Sequence, residues 1–172
     1  MKKIIIILII YFFQFNCAIA NTTIAFIDMD KIISTSKPGA YIVSQLKDIN
    51  LNNKKAFETN AKKLKEKETK LISQKNILSE LDFKTNINKL KLEIQNYNDN
   101  RDKVSSDFNK LRIDSTNKLL KLINPILMNY SDNKSISLIL NKKNLVVGKM
   151  ELDITDEIIK IINKEIKQFK IQ

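Results

Sequence analysis

Between Ala40 and Asn124 the chain contains neither glycine nor proline, and charged and amide residues alternate there with isolated apolar ones. So long a stretch without a backbone breaker predicts α-helix throughout. In its second half Ile87, Leu90, Ile94, Tyr97, Val104, Phe108 and Leu111 fall on steps of three and four, with Arg101 taking one position of the seam. A stripe of this kind needs a partner helix. Phe57, Ala61, Leu64, Leu71 and Leu78 supply a matching, weaker stripe in the first half, with Glu68 and Lys75 at the positions between. The register breaks around Ser79–Thr85, so the pattern predicts an antiparallel hairpin over about 41–124, with its tip at about 79–86. Each limb of about 40 residues would extend about 60 Å at 1.5 Å per residue. Most of that length is out of reach of a compact core and must be stabilised by the other limb and by helix propensity.

The ends of the chain read differently. Ile24–Met29 is a short, mostly apolar strand candidate, Asp30–Ile33 fits a single helical turn, and Pro38-Gly39 marks a turn or a helix start. After Pro125 the period becomes strand-like: Ser135–Leu140 and Asn144–Val147 are β-rich runs around a possible hairpin turn at Asn141–Asn144. Gly148 closes the second run, and Asp153 or Thr155 can cap a last amphipathic helix carrying Ile158, Ile159, Ile161, Ile162 and Ile166. The expected fold class is therefore α+β. A small β-body (21–40 and 125–172) would form one domain with a long helical hairpin inserted between its strands. About three strands and two short helices hide too little surface to bury all these aliphatics. Ile24, Phe26, Ile136, Leu138, Leu140 and Val146 are accordingly the candidate subunit interface, which would also cover exposed strand edges.

Met1-Lys2-Lys3, the apolar block Ile4–Phe13 and Ala18-Ile19-Ala20 make a secretory leader, with cleavage expected after Ala20. The block is shorter than the roughly 20 residues that span a bilayer. Lipidation at Cys17 is disfavoured by Gln14-Phe15-Asn16, which lacks the small and aliphatic residues that precede a lipidated cysteine. Cleavage removes Cys17, the only cysteine, and leaves 152 residues without cysteine or histidine. The usual zinc, haem and iron–sulfur ligand sets cannot then be assembled, nor can histidine- or cysteine-based catalytic groups. No cofactor is expected, and no enzyme. Asp28 and Asp30 form a close acidic pair, read as strand-end and helix-cap residues, with Asp30 the cap in solvent, rather than as an acid–base or metal site. Asp153, Asp156 and Glu157 read as charges favoured by a helix N-terminus. The formal charge of +11 falls to +9 when Lys2 and Lys3 leave with the leader. That balance favours acidic partners, and export makes nucleic acid the least fitting of them.

The order of leader, strand Ile24–Met29, Lys/Glu/Asn-rich helical hairpin, strand Ile136–Leu140, strand Leu145–Val147 and closing Leu152-Asp153-Ile154-Thr155-Asp156-Glu157-Ile158-Ile159 resembles the Skp (OmpH-like) family of periplasmic chaperones. The likeness covers essentially the whole mature chain. Its most specific parts are the first strand and the closing segment, whereas the helical middle is compositionally generic. Val146–Met150 stands where many relatives carry an aromatic residue. The resemblance implies a periplasmic homotrimer that shares a central β-body, with arms surrounding a cavity that holds unfolded outer-membrane β-barrel proteins without nucleotide. On that reading Lys62, Lys65, Lys70 and Lys84 would attract acidic clients, while Leu71, Leu78, Leu81 and Phe83 near the tip would touch them weakly at many points. Anionic lipid or lipopolysaccharide would be a further possible contact. The competing expectation is an envelope tether in which the arms bind a fixed partner or the anionic membrane surface. An intracellular nucleic-acid-binding coiled coil would fit the charge but conflicts with the leader.

Overall fold

The first strand, β1 (Thr23–Ile27), turns its last three residues into the core and ends at Asp28. The Asp28 carboxylate accepts from the Lys31 amide at 2.9 Å and so starts helix α1 (Met29–Thr35). The structure is a computed structural model that describes residues 23–171. The expected leader and its cleavage point lie outside the described residues. One residue past α1, Ser36 caps the next helix, α2 (Lys37–Ser73), by accepting from the Gly39 amide at 3.3 Å. Pro38 occupies the first turn, where a missing N–H costs nothing. Pro38-Gly39 is thus a helix start rather than a turn.

The returning helix α3 (Glu80–Asn133) is capped by Ser79, whose hydroxyl accepts from the Asp82 amide at 3.1 Å. The connection between the limbs is therefore Gln74–Ser79, closed by Ile77 and Leu78 amides donating to the Gln74 carbonyl at 3.0 Å. The tip expected at about 79–86 falls instead on the first turns of α3. The physical reason is the cap: a serine followed by Glu80 and Asp82 places acceptor and negative charge where a helix N-terminus needs them. At 1.5 Å per residue, α2 runs about 55 Å and α3 about 80 Å. Pro125 does not end the helix either, for α3 continues through it to Asn133. Leu119, Ile123 and Ile126, on both sides of the proline, are buried in the core and hold that turn helical although the ring removes a backbone donor.

After α3, Ser135 adopts a left-handed conformation (φ 52°) and turns the chain into β2 (Ile136–Asn141). β2 lies parallel to β1, with Ile24 opposite Leu138 and Phe26 opposite Leu140, so the whole arm is the crossover of one two-stranded sheet. The third strand expected at Leu145–Val147 does not form. Asn141 caps a short 3-10 turn at Lys142–Asn144, which carries the chain away from β2 before a hairpin can close. The place beside β1 is taken by Asp153, bridged to Phe26, and by the Ile154 amide, which donates to the Phe26 carbonyl at 3.1 Å. Helix α4 (Thr155–Glu165) follows, with Asp153 accepting from the Thr155 amide at 3.0 Å.

The core sits where the arm meets the sheet. Ala25 and Ile27 of β1, Ile32 of α1, Ile42 of α2, Leu119, Ile123 and Ile126 of α3, and Ile154, Ile158 and Ile162 around α4 form one buried cluster. The ends of the chain thus enclose the base of the arm, and α2 and α3 are each anchored by only their body-end turns.

Candidate functional site

Along the arm the two apolar stripes do face each other. Phe57 and Tyr97 meet edge to face with centroids 6.1 Å apart, and Tyr97 donates to the Phe57 carbonyl at 3.4 Å. Further out Lys67 of α2 pairs with Glu93 of α3 at 2.5 Å. Leu64, Leu71, Leu78, Phe83, Ile87, Leu90, Val104, Phe108 and Leu111 are half-buried, as expected of a two-helix seam with solvent on both sides. Beside Arg101, which interrupts the stripe, a cleft of about 440 Å³ opens along the seam among Phe57, Ala61, Tyr97, Arg101, Val104 and Phe108. The sequence contains its signal, a charged residue at a seam position.

The lysines named from the sequence divide by face. Lys62, Lys65 and Lys70 lie on one face of α2 with Glu66, Thr69 and Ser73, around a shallow depression. All three are exposed, so the stripe is positive and open to solvent. Lys84 is exposed on α3, beyond the tip. Among the apolar candidates Leu71 packs into the seam near Leu90, and Leu78 and Phe83 are half-buried at the tip. Leu81 is exposed, as are Ile72 and Ile77 beside it (75, 64 and 79%). The end of the arm therefore carries apolar surface that the hairpin does not use.

The body candidates also separate. Ile24 and Leu138, cross-strand partners, are both more than two-fifths exposed, and Ile136 and Leu140 are half-buried. Val146 is almost wholly exposed, with Val147 and Met150 close behind. Phe26, by contrast, is buried within the protomer, its ring lying against Gly148.

A polar belt closes the body around these residues. The Asp28 amide donates to the Thr155 hydroxyl at 2.8 Å, and that hydroxyl donates in turn to Asp153. Burial pushes the Asp153 carboxyl up, but the two Thr155 bonds and Lys142 at 3.4 Å outweigh it and hold it below the usual carboxylate range. Lys31 pairs with Asp156 at 2.6 Å, and its ammonium is raised chiefly by that bond. Asp30, expected as the helix cap, pairs with Lys143 at 2.6 Å instead, because Asp28 is already in the cap position. Both carboxylates of the acidic pair thus have structural partners. Tyr130 donates to Glu157, and burial together with that acceptor pushes its phenol up to about 12.

A half-exposed two-helix arm, basic along one face and apolar at its end, on a small body with open aliphatic surface, defines a class of protein that works by presenting surface. The chain matches the family described as Outer membrane protein (OmpH-like) over residues 23–162 and belongs to it. No curated protein matches the chain significantly. Among solved structures, a candidate outer membrane chaperone (OmpH-like) from Caulobacter crescentus CB15 has the same fold. Its TM-score is 0.79 at 12% identity, and the match covers 87% of this chain and 88% of that one.

Proposed function

We propose that the protein is an ATP-independent periplasmic holdase chaperone, which keeps unfolded outer-membrane β-barrel proteins from aggregating on their way to the outer membrane. The observation that carries this reading is the distal arm, where exposed Ile72, Ile77 and Leu81 stand next to the basic stripe of Lys62, Lys65 and Lys70, far from any core they could stabilise. Family membership and the fold shared with a candidate outer membrane chaperone point the same way. Weak apolar contacts at several arms would hold a client without trapping it, and the positive stripe would draw in acidic chains over a range that salt shortens. The leader would be removed after Ala20 to deliver the chain to the periplasm. Three copies would join through the open aliphatic surface of Ile24, Leu138, Val146 and Val147, giving arms around one cavity. The protein would act by binding alone, with no cofactor, and lipopolysaccharide or anionic phospholipid could touch the same basic face.

The test uses residues 21–172. Light scattering reads the solution mass, and turbidity reads whether a urea-diluted β-barrel outer-membrane protein stays soluble at low and high salt. A trimer that suppresses aggregation, less well at high salt and with Lys62, Lys65 and Lys70 changed to Gln, is expected. A monomer, or an oligomer that leaves the client to precipitate, moves the weight to an envelope tether with a fixed partner.

A further inference from the structure

Past α4 the chain runs from Ile166 to Ile171 without regular structure, and it crosses the root of the arm. One side chain holds its backbone at two points: Gln45 of α2 donates from Nε2 to the Phe169 carbonyl at 3.2 Å and accepts through Oε1 from the Ile171 amide at 3.2 Å. A primary amide has a donor and an acceptor side by side, so it gives an extended chain what a neighbouring strand would give. From the other limb, the Lys118 ammonium of α3 sits 4.6 Å from the centre of the Phe169 ring, an attraction between cation and ring face. Gln168 adds a bond to the Lys37 carbonyl at 3.3 Å, at the start of α2. Phe169 is thus gripped through its backbone by one limb and through its ring by the other.

The place of these contacts matters. The next feature outward from Gln45 and Lys118 is the cleft between the limbs lined by Phe57, Tyr97 and Phe108. The limbs are joined covalently at Gln74–Ser79, and the tail crosses them at the opposite end of the cleft. Its polar contacts with the limbs are made by the side chains of Gln45 and Gln168, Ile166, Phe169 and Ile171 are only half-buried where they lie against the core, and Lys167, Gln168 and Lys170 are exposed, so the grip is of the kind that opens locally before the body unfolds.

We propose that the C-terminal tail is a clasp that ties the two limbs of the arm together at their root, and that its release widens the cleft between them. This deepens the holdase reading by naming a control on the arm's spread, and it rests on that reading only for its purpose. The test is amide hydrogen exchange, followed by mass spectrometry, on the chain truncated after Ile166 and on full-length Gln45→Ala, Lys118→Ala and Lys118→Arg. Loss of the clasp is expected to speed exchange about tenfold in peptides covering 50–61 and 97–108, as removal of one or two net hydrogen bonds would. The tip at 74–84 and helix α4 should keep wild-type rates, and Lys118→Arg, which keeps a cation over the ring, should behave as wild type. Unchanged rates at the cleft in both the truncation and Gln45→Ala would overturn the proposal. So would an equal rise in α4, which would make the tail an ordinary part of the core. The aggregation assay, run in parallel, reads the holdase function separately, and neither result decides the other.

Discussion

Gly39 stands where no larger residue fits, and replacing it with alanine sets two effects of known size against each other. A Cβ at this position would lie 1.9 Å from the Ile33 carbonyl oxygen, 2.8 Å from its carbon and 2.9 Å from the Ser36 hydroxyl. Ordinary contact would require that carbonyl to retreat by more than about 1 Å. It belongs to the end of α1, whose Ile32 is fully buried, and the next link, Ser36, is itself buried as the cap of α2. Moving one means prising α1 off the core. Overpacking of this kind costs about 3 kcal/mol when backbone must shift, whereas the gain in helix propensity from Gly to Ala is about 1 kcal/mol. Gly39→Ala should therefore destabilise by about 2 kcal/mol, lowering the urea midpoint by about 1 M for a denaturant slope near 2 kcal/mol/M. Gly148→Ala is the internal control. Its Cβ would meet a Phe26 ring carbon at 2.9 Å, but both the ring and the open 145–150 segment can shift, so the loss should stay below about 1 kcal/mol. Both variants must be compared at one protomer concentration, because self-association moves apparent stability. A Gly39→Ala midpoint at or above wild type would refute the reasoning by showing that the junction of α1 and α2 yields at little cost.

Ser135 holds a left-handed backbone at φ 52°, so Ser135→Gly should raise the urea midpoint by an amount equivalent to about 1 kcal/mol, and an unchanged midpoint would mean that Ser135 carries no strain. The Asp153 carboxyl titrates below its unfolded value, so its contribution is complete above about pH 4 and is lost as pH falls through the lower folded value. Midpoints measured as a function of pH should consequently fall less steeply below pH 4 in Asp153→Asn than in wild type. The Tyr130 phenol is raised to about 12, so what it adds is present below about pH 10 and is lost as pH rises through about 12. An ultraviolet phenolate titration should show one tyrosine ionising near 12, absent in Tyr130→Phe, with Glu157→Gln bringing it down.

The residues that could be read from the sequence are those whose message is local. The absence of glycine and proline between Ala40 and Asn124 and the spacing from Ile87 to Leu111 establish a helical hairpin whatever surrounds it, and the stripes do meet at Phe57 and Tyr97. β1 and β2 are short apolar runs and were legible for the same reason. The structure departs from the sequence pattern where tertiary contacts outweigh a local signal. Pro125 is a breaker by propensity, but Leu119, Ile123 and Ile126 hold the helix through it by burial. Leu145–Val147 has strand composition, yet β1 already has Ile154 on its free edge, and the 3-10 turn at Lys142–Asn144 turns the run away. The tip lies earlier than the break in apolar register predicts, because Ser79 caps α3 immediately before Glu80. Gln45 carried no signal at all, since an amide on a polar helix face says nothing about a tail more than a hundred residues away.

The placement of stability follows from the same geometry. Buried residues cluster within the body and the body-end turns of α2 and α3, at Ile42, Leu119, Ile123 and Ile126, while along the arm even the seam residues are half-exposed. Buried apolar surface is the main favourable term, so local opening should cost least at the tip and rise toward the root. On the proposed holdase reading, an arm that fits clients of different size would need that gradient. The body shows the opposite, held by the buried Thr155 between Asp28 and Asp153 as well as by the aliphatic core, as a body joining several arms on that reading would need. The two regimes meet within a turn or two of Gln45 and Lys118, where the tail crosses. On the proposed clasp, a change at either residue would alter the root of the arm and leave the tip's surface as it is, so variants there separate a mobile arm from a rigid one without disturbing the seam itself.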